Sequence, residues 1–144
     1  MHVHDLIQNR HQIFAISEDM TVHEAACYLR ANQLRAVGVL NAAGKLVGAL
    51  AQSDISDKVA AENKCPAWIR VSEIMSHQLV VVAPDLAIDE CLRRMEKHSI
   101  FHLLVMDAAG VFHGMISVAD LLQVIASDHK ARADLLEALL FPQR

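Results

Sequence analysis

The sequence predicts an α/β (α+β) fold built from two β-α-β-β-α repeats packed by pseudo-twofold symmetry, with a helical extension after the second. Three observations predict it. The chain matches itself when shifted by 66 positions, and self-similarity at a fixed period marks a repeat architecture. Within each copy, short apolar runs alternate with segments of helical period. The composition, 53% apolar against 21% charged and 4% aromatic over 144 residues, suits a core of aliphatic side chains and methionine.

The internal match is dense. Asp19 falls on Asp85, Glu24 on Glu90, Val39 on Val105, Gly48 on Gly114 and Asp54 on Asp120. Ala42-Ala43-Gly44 falls on Ala108-Ala109-Gly110, and His11-Gln12 on His77-Gln78. Upstream, Val3-His-Asp-Leu-Ile matches Val71-Ser-Glu-Ile-Met after a two-residue slip.

Each copy opens with an apolar strand, expected over Ile13–Ile16 and Leu79–Val82. A turn follows at Glu18-Asp19 and Pro84-Asp85, then a helix with apolar residues at Val22, Ala25, Ala26, Leu29 and at Ile88, Cys91, Leu92, Met95. A second strand is expected over Ala36–Leu40 and Leu103–Met106. Asn41–Gly44 and Asp107–Gly110 read as hairpin turns, with glycine supplying positive φ. A third strand covers Leu46–Leu50 and Phe112–Ile116, and second helices begin near Asp54 and Val118. One three-stranded unit is marginal alone, so the copies are expected to pack sheet to sheet over a shared core, leaving a cleft at the axis. The expected division is repeat one over 1–57, a linker over 58–70 holding Cys65-Pro66 and Trp68, repeat two over 71–126, and a helical extension over 127–144. Along that extension Leu121, Val124, Ile125, Leu135, Leu136, Leu139 and Leu140 form an apolar stripe. It packs either on its own chain or on a second copy.

Bulk properties narrow the function. A formal net charge of −4 lacks the basic footprint of a nucleic-acid binder. Three widely spaced cysteines (Cys27, Cys65, Cys91) suit a reduced compartment better than a disulfide framework. No leader-like segment opens the chain, and no run of about 18 apolar residues could span a bilayer. A soluble cytoplasmic protein is expected. Nine histidines invite a metal reading, but His2-x-His4 offers two ligands on a terminus, and His98 and His102 do not share a helix face. No nucleophile elbow, P-loop or dinucleotide fingerprint is present. Cys91 and Cys27 read as packed, and Cys65 as exposed without an activating neighbour.

The chemical signal lies where the third strand meets the second helix. Copy two reads Gly114-Met-Ile-Ser117-Val-Ala-Asp120, and copy one Gly48-Ala-Leu-Ala51-Gln-Ser-Asp54. Ser-x-x-Asp is a capping pattern in which the hydroxyl accepts from the Asp120 amide. The same geometry serves a ligand, since a helix start offers amides to phosphate and a carboxylate can accept from both hydroxyls of a ribose. The two roles are compatible.

Val71-Ser-Glu-Ile-Met75, Val80–Asp85, His102–Asp107 and Gly114–Asp120, in this order and duplicated, resemble a tandem pair of CBS domains (a Bateman module) over residues 3–126. That resemblance implies an adenine nucleotide such as AMP, ADP, ATP or NAD in the inter-repeat cleft. Asp120 would hold ribose hydroxyls and Ser117 would lie near ribose or phosphate. Leu79-Val80 and His102-Leu103 would line the base pocket. The copy-one equivalents are Asp54, Ile13-Phe14 and Ala36-Val37. The sequence departs from the pattern at Ala51, which replaces a hydroxyl residue, and at Gly38 and Leu104, where proline is usual. Phe101 stands where an arginine is frequent; copy one has Arg35 there, which is read either as the phosphate contact or as an ordinary surface arginine. The resemblance implies a regulatory module rather than an enzyme, needing no cofactor beyond its regulatory ligand. It also implies a homodimer and a separate regulated protein. The alternatives are a purely structural interaction module with a degenerate cleft, or a small enzyme using it.

Overall fold

The computed structural model describes residues 1–10 and 12–140. Among them the elements run α1 (Val3–Ile7), β1 (Ala15–Ser17), α2 (Val22–Ala31), β2 (Ala36–Leu40), β3 (Leu46–Ala51) and α3 (Gln52–Ile55). A π-helical turn over Ser56–Ala60 and a 3-10 turn over Pro66–Trp68 lead to the second copy. That copy comprises α4 (Val71–Ile74), β4 (Val81–Val82), α5 (Ile88–His98), β5 (His102–Met106), β6 (Phe112–Ser117) and α6 (Val118–Leu140).

Local chemistry explains these elements. Thr21 caps α2 by accepting from the Glu24 amide at 3.1 Å. Val22, Ala25 and Leu29 of α2, and Ile88, Cys91 and Met95 of α5, turn to the interior at helical spacing. The two hairpins share one device. The Oδ1 of Asn41 accepts from the amides of Ala43 and Lys45, and the Oδ1 of Asp107 from those of Ala109 and Val111. Gly44 and Gly110 then close the turns at φ +80° and +82°.

Each copy forms its own three-stranded sheet, ordered β1-β2-β3 and β4-β5-β6. The first pair is parallel and the second antiparallel in both. Both sheets carry an irregularity at the same place, Val39/Leu40 and Val105/Met106. The leading strands are shorter than the sequence suggests. Ile13-Phe14 and Leu79-Val80 precede them.

The buried residues do not make the single shared core expected from sequence. They fall into two clusters, one behind each sheet. The leading helices cross over between them. Val3, Leu6 and Ile7 of α1 pack with Val82, Leu103 and Ile116 of the second copy. Val71, Ile74 and Met75 pack with Ile16, Val37 and Leu50 of the first. Backbone bonds tie the exchange: the Val3 amide donates to the Leu86 carbonyl at 2.9 Å, and the Val71 amide to the Met20 carbonyl at 2.9 Å. Each spatial half therefore draws on both sequence repeats. Leu104 and Phe112 are buried outside both clusters. Phe112 lies directly over Gly38, where an added Cβ would sit 2.5 Å from its ring. The absence of a side chain at residue 38 is what lets the halves meet this closely.

In the segment expected as linker, Val59 and Ile69 join the first cluster while Trp68 is exposed. In α6, Leu121 is fully buried and Val124 and Ile125 are half-buried. Leu136 is 58% exposed; the side chains of Leu135, Leu139 and Leu140 lie outside the described residues.

Gly38→Ala is expected to destabilise the fold by about 1–3 kcal/mol through overpacking against Phe112. Phe112→Leu in the same chain should recover part of the loss. Urea unfolding of the three proteins measures both effects.

Candidate functional site

The β6–α6 junction is held by a reciprocal cap. The Ser117 hydroxyl accepts from the Asp120 amide at 3.1 Å, and Asp120 Oδ2 accepts from the Ser117 amide at 2.8 Å. The hydroxyl-to-amide bond expected from sequence is thus present. Asp120 Oδ1 makes no hydrogen bond among the described residues. At the matching junction of copy one, Ala51 supplies no hydroxyl. Only the return bond forms, from the Ala51 amide to Asp54 Oδ2 at 2.9 Å. Lys58 Nζ then holds Asp54 Oδ1 at 3.0 Å.

A cavity of about 1030 Å³ opens beside Ser117 and Asp120. It lies between the two copies. From the first come Arg10, Ile13, Phe14, Arg35, Ala36 and Val37; from the second Phe101, His102, His113, Met115, Ser117 and Asp120. Of the residues singled out in the sequence, Ser117, Asp120, His102, Ile13, Phe14, Arg35, Ala36 and Val37 are brought together here. Leu79, Val80, Leu103 and Asp54 are not among its lining residues. The Leu103 side chain is fully buried in the second core, because strand alternation turns it away from the cleft. Val80 packs against that same core, and its carbonyl accepts from the Leu104 amide.

The pairing within the site therefore differs from the sequence-based expectation. Asp120 is not grouped with the leading strand of its own copy. It shares a cavity with the segment before β1 and the start of β2 from the other copy. The physical reason is the packing axis, which sets the segment before β1 and the start of β2 in one copy against the β6–α6 junction of the other.

His102 senses both charges across the cavity. Burial pushes its imidazole below the usual histidine range; Asp120 opposes that shift and Arg35 adds to it. Across the cavity, His113 Nε2 lies 2.8 Å from Asp107 Oδ2, a pairing that holds the Asp107 carboxyl below its ordinary value.

Arg10 was not legible as a site residue. Its Nη1 donates to the Met115 carbonyl, and its Nη2 lies 3.3 Å from Asp120 Oδ2. The one signal available was its place in the internal match, where it is a charged residue aligned with neutral Ser76. His113, Met115 and Val118 were also missed, since strand and helix-start positions next to a known motif carry no mark of their own.

Cys91 is buried and desolvation raises its thiol, as expected of a core residue. Cys65 is exposed, and Cys27 is half-buried with Sγ 3.8 Å from His23 Nε2. Among the described residues there is no group of three or more His, Cys, Asp or Glu able to hold a metal ion. No helix among them is long and apolar enough to cross a membrane.

Comparison with known proteins agrees with this architecture. The uncharacterized protein MK0525 of Methanopyrus kandleri is 26% identical over 115 residues, which cover 80% of this chain and 59% of that protein's length. The CBS-domain containing protein ATU1752 from Agrobacterium tumefaciens superposes with a TM-score of 0.77 at 25% identity, covering 85% of this chain and 91% of that one. The CBS domain pair of protein MJ0100, solved in complex with 5'-methylthioadenosine and S-adenosyl-L-methionine, superposes with a TM-score of 0.79 at 23% identity, covering 89% and 98%. The CBS domain model matches residues 3–61 and again 71–127. Two sheets of the same topology, two matching sequence segments and neighbours that are themselves CBS-domain proteins lead to one conclusion: the chain belongs to the CBS-domain family, as a tandem pair.

Proposed function

We propose that this chain is a ligand-sensing regulatory module that binds an adenosine-containing nucleotide in the cavity beside Ser117 and Asp120. The observation that carries the reading is Asp120 itself. Its carboxylate is fixed by the cap on one oxygen, while the other has no hydrogen-bond partner among the described residues and the side chain is 37% exposed. A rigid acceptor of this kind suits the paired hydroxyls of a ribose. Ile13, Phe14, Val37 and Met115 add apolar surface for a purine, and the cavity volume of about 1030 Å³ accommodates a nucleotide. The MJ0100 pair, solved with two adenosine derivatives, supports the same ligand class. A sensor is favoured over an enzyme because two of the titratable groups at the cavity are held by neighbours, His113 by Asp107 and Asp120 by its cap and by Arg10.

A purely structural role is favoured only for the other half of the cleft, where Ala51 offers no hydroxyl and Lys58 ties up Asp54. One ligand per chain follows. In calorimetry, AMP, ADP, ATP, NAD and S-adenosylmethionine are the probes. Asp120→Ala should weaken the best of them about ten- to a hundredfold with the fold intact, the loss of charge-assisted hydrogen bonds worth about 1.5–3 kcal/mol. Asp54→Ala should leave it unchanged. If no probe binds and none raises the melting temperature, the structural reading replaces this one.

The module acts as a homodimer in this reading and passes its occupancy to a separate regulated protein. Leu122 and Leu136 on α6 are 55% and 58% exposed, which supports a second copy of this chain against that helix. Sedimentation equilibrium should give twice the 15.9 kDa chain mass. The double variant Leu122→Glu, Leu136→Glu should sediment as a monomer; a monomeric parent protein would refute the dimer.

A further inference from the structure

The two copies differ most where the segment after each leading helix meets the third strand. In the first half, Ser76 pairs with Ala49 of β3 through both backbone bonds, Ala49 amide to Ser76 carbonyl at 3.0 Å and the reverse at 2.9 Å. Gly48 makes this possible, since a Cβ there would meet Met75 Sδ at 2.5 Å. That edge is sealed by backbone.

The internal match places Arg10 on Ser76 and Met115 on Ala49. Here the side chain replaces the backbone bridge. The Arg10 guanidinium bonds the Met115 carbonyl and reaches Asp120, while the Arg10 amide donates to the Ile7 carbonyl. The Arg10–Asp120 pair lines both the 1030 Å³ cavity and a second cavity of about 840 Å³ along α6. A border that rests on one flexible side chain can move without breaking a strand pairing.

The charges define what can move it. Beside Asp120, the cavity presents two guanidinium groups, Arg10 and Arg35. A ribose that engages Asp120 competes with Arg10 for the same carboxylate. A ligand bearing phosphate returns a partner to the displaced guanidinium, often in bidentate form. A ligand without phosphate leaves that guanidinium without its anion, and a sulfonium ligand adds a further positive charge.

We propose that Arg10 is the specificity-determining residue of this cleft: it occupies Asp120 in the empty site and selects ribonucleosides that carry a phosphate over uncharged or cationic ones. This rests on the nucleotide-binding reading above and names the class of ligand within it.

The test is calorimetry of the full chain with AMP, adenosine and 5'-methylthioadenosine, for the parent protein and for Arg10→Gln and Arg10→Lys. The parent protein should bind AMP at least about tenfold tighter than adenosine. Arg10→Gln should weaken AMP about tenfold or more while adenosine binds as well or better, because Asp120 is released. Arg10→Lys keeps the charge and loses the fork, so it should retain part of the preference; it also serves if the Gln variant does not fold. An unchanged ratio of AMP to adenosine affinity in either folded variant overturns the role of Arg10, and the nucleotide-binding reading stands if Asp120→Ala still weakens binding. A parent protein that binds none of the three overturns the role of Arg10, and the nucleotide-binding reading falls with it only where ADP, ATP, NAD and S-adenosylmethionine also fail to bind.

Discussion

Val3 and Val71 are each fully buried, and each is buried in the half of the molecule whose strands belong to the other repeat. This reciprocal exchange is the constraint on which the architecture depends. A sheet of three short strands with one helix behind it has too little apolar surface to stand alone. The leading helix of the opposite repeat completes it: burying one valine contributes about 1.5 kcal/mol or more, and Leu6, Ile7, Ile74 and Met75 extend the same contact. The bonds from Val3 to Leu86 and from Val71 to Met20 fix the register of the exchange. Neither half is whole without the other, so the pair is the cooperative unit, and the cleft lies between halves that the exchange holds together.

Within this reciprocal frame, one fold built twice still presents unequal faces. The connection after α4 returns along β3 as backbone, whereas the connection after α1 approaches β6 through Arg10. Two further differences fall on the same side: Ser117 against Ala51, and the Arg10 partner of Asp120 against the Lys58 partner of Asp54. A duplicated unit keeps its scaffold through the apolar positions and the two glycine turns. Substitutions at the rim are then free to open one site and close the other.

Much of this was legible in the sequence because it depends on local chemistry. The repeat, the hairpins at Gly44 and Gly110, the helical faces and the Ser117–Asp120 cap are all written in residues close along the chain. The expected second strand of copy one matches β2 end for end, while the leading strands come out shorter. What was not legible depends on the packing axis. The grouping of Asp120 with Ile13, Phe14 and Arg35, the inward turn of Leu103 and the assignment of α1 to the second core all require knowing which edges face one another. Arg10 shows the limit most clearly. Its partners lie more than a hundred positions away, and its mismatch with Ser76 in the internal repeat is the one mark that sets it apart from a surface arginine.

The helix that begins at the cap is one unbroken element of 23 residues. At about 1.5 Å per residue it is roughly 35 Å long. Its first turn carries Asp120, and its far turns carry Leu136, well outside either core. Such a rod converts angle into distance: a tilt of about 5° at the capped end displaces the other end by about 3 Å over this length. The carboxylate that faces the cavity and the exposed leucine far along the same rod belong to one continuous helix, so any tilt at the capped end would be magnified at the surface.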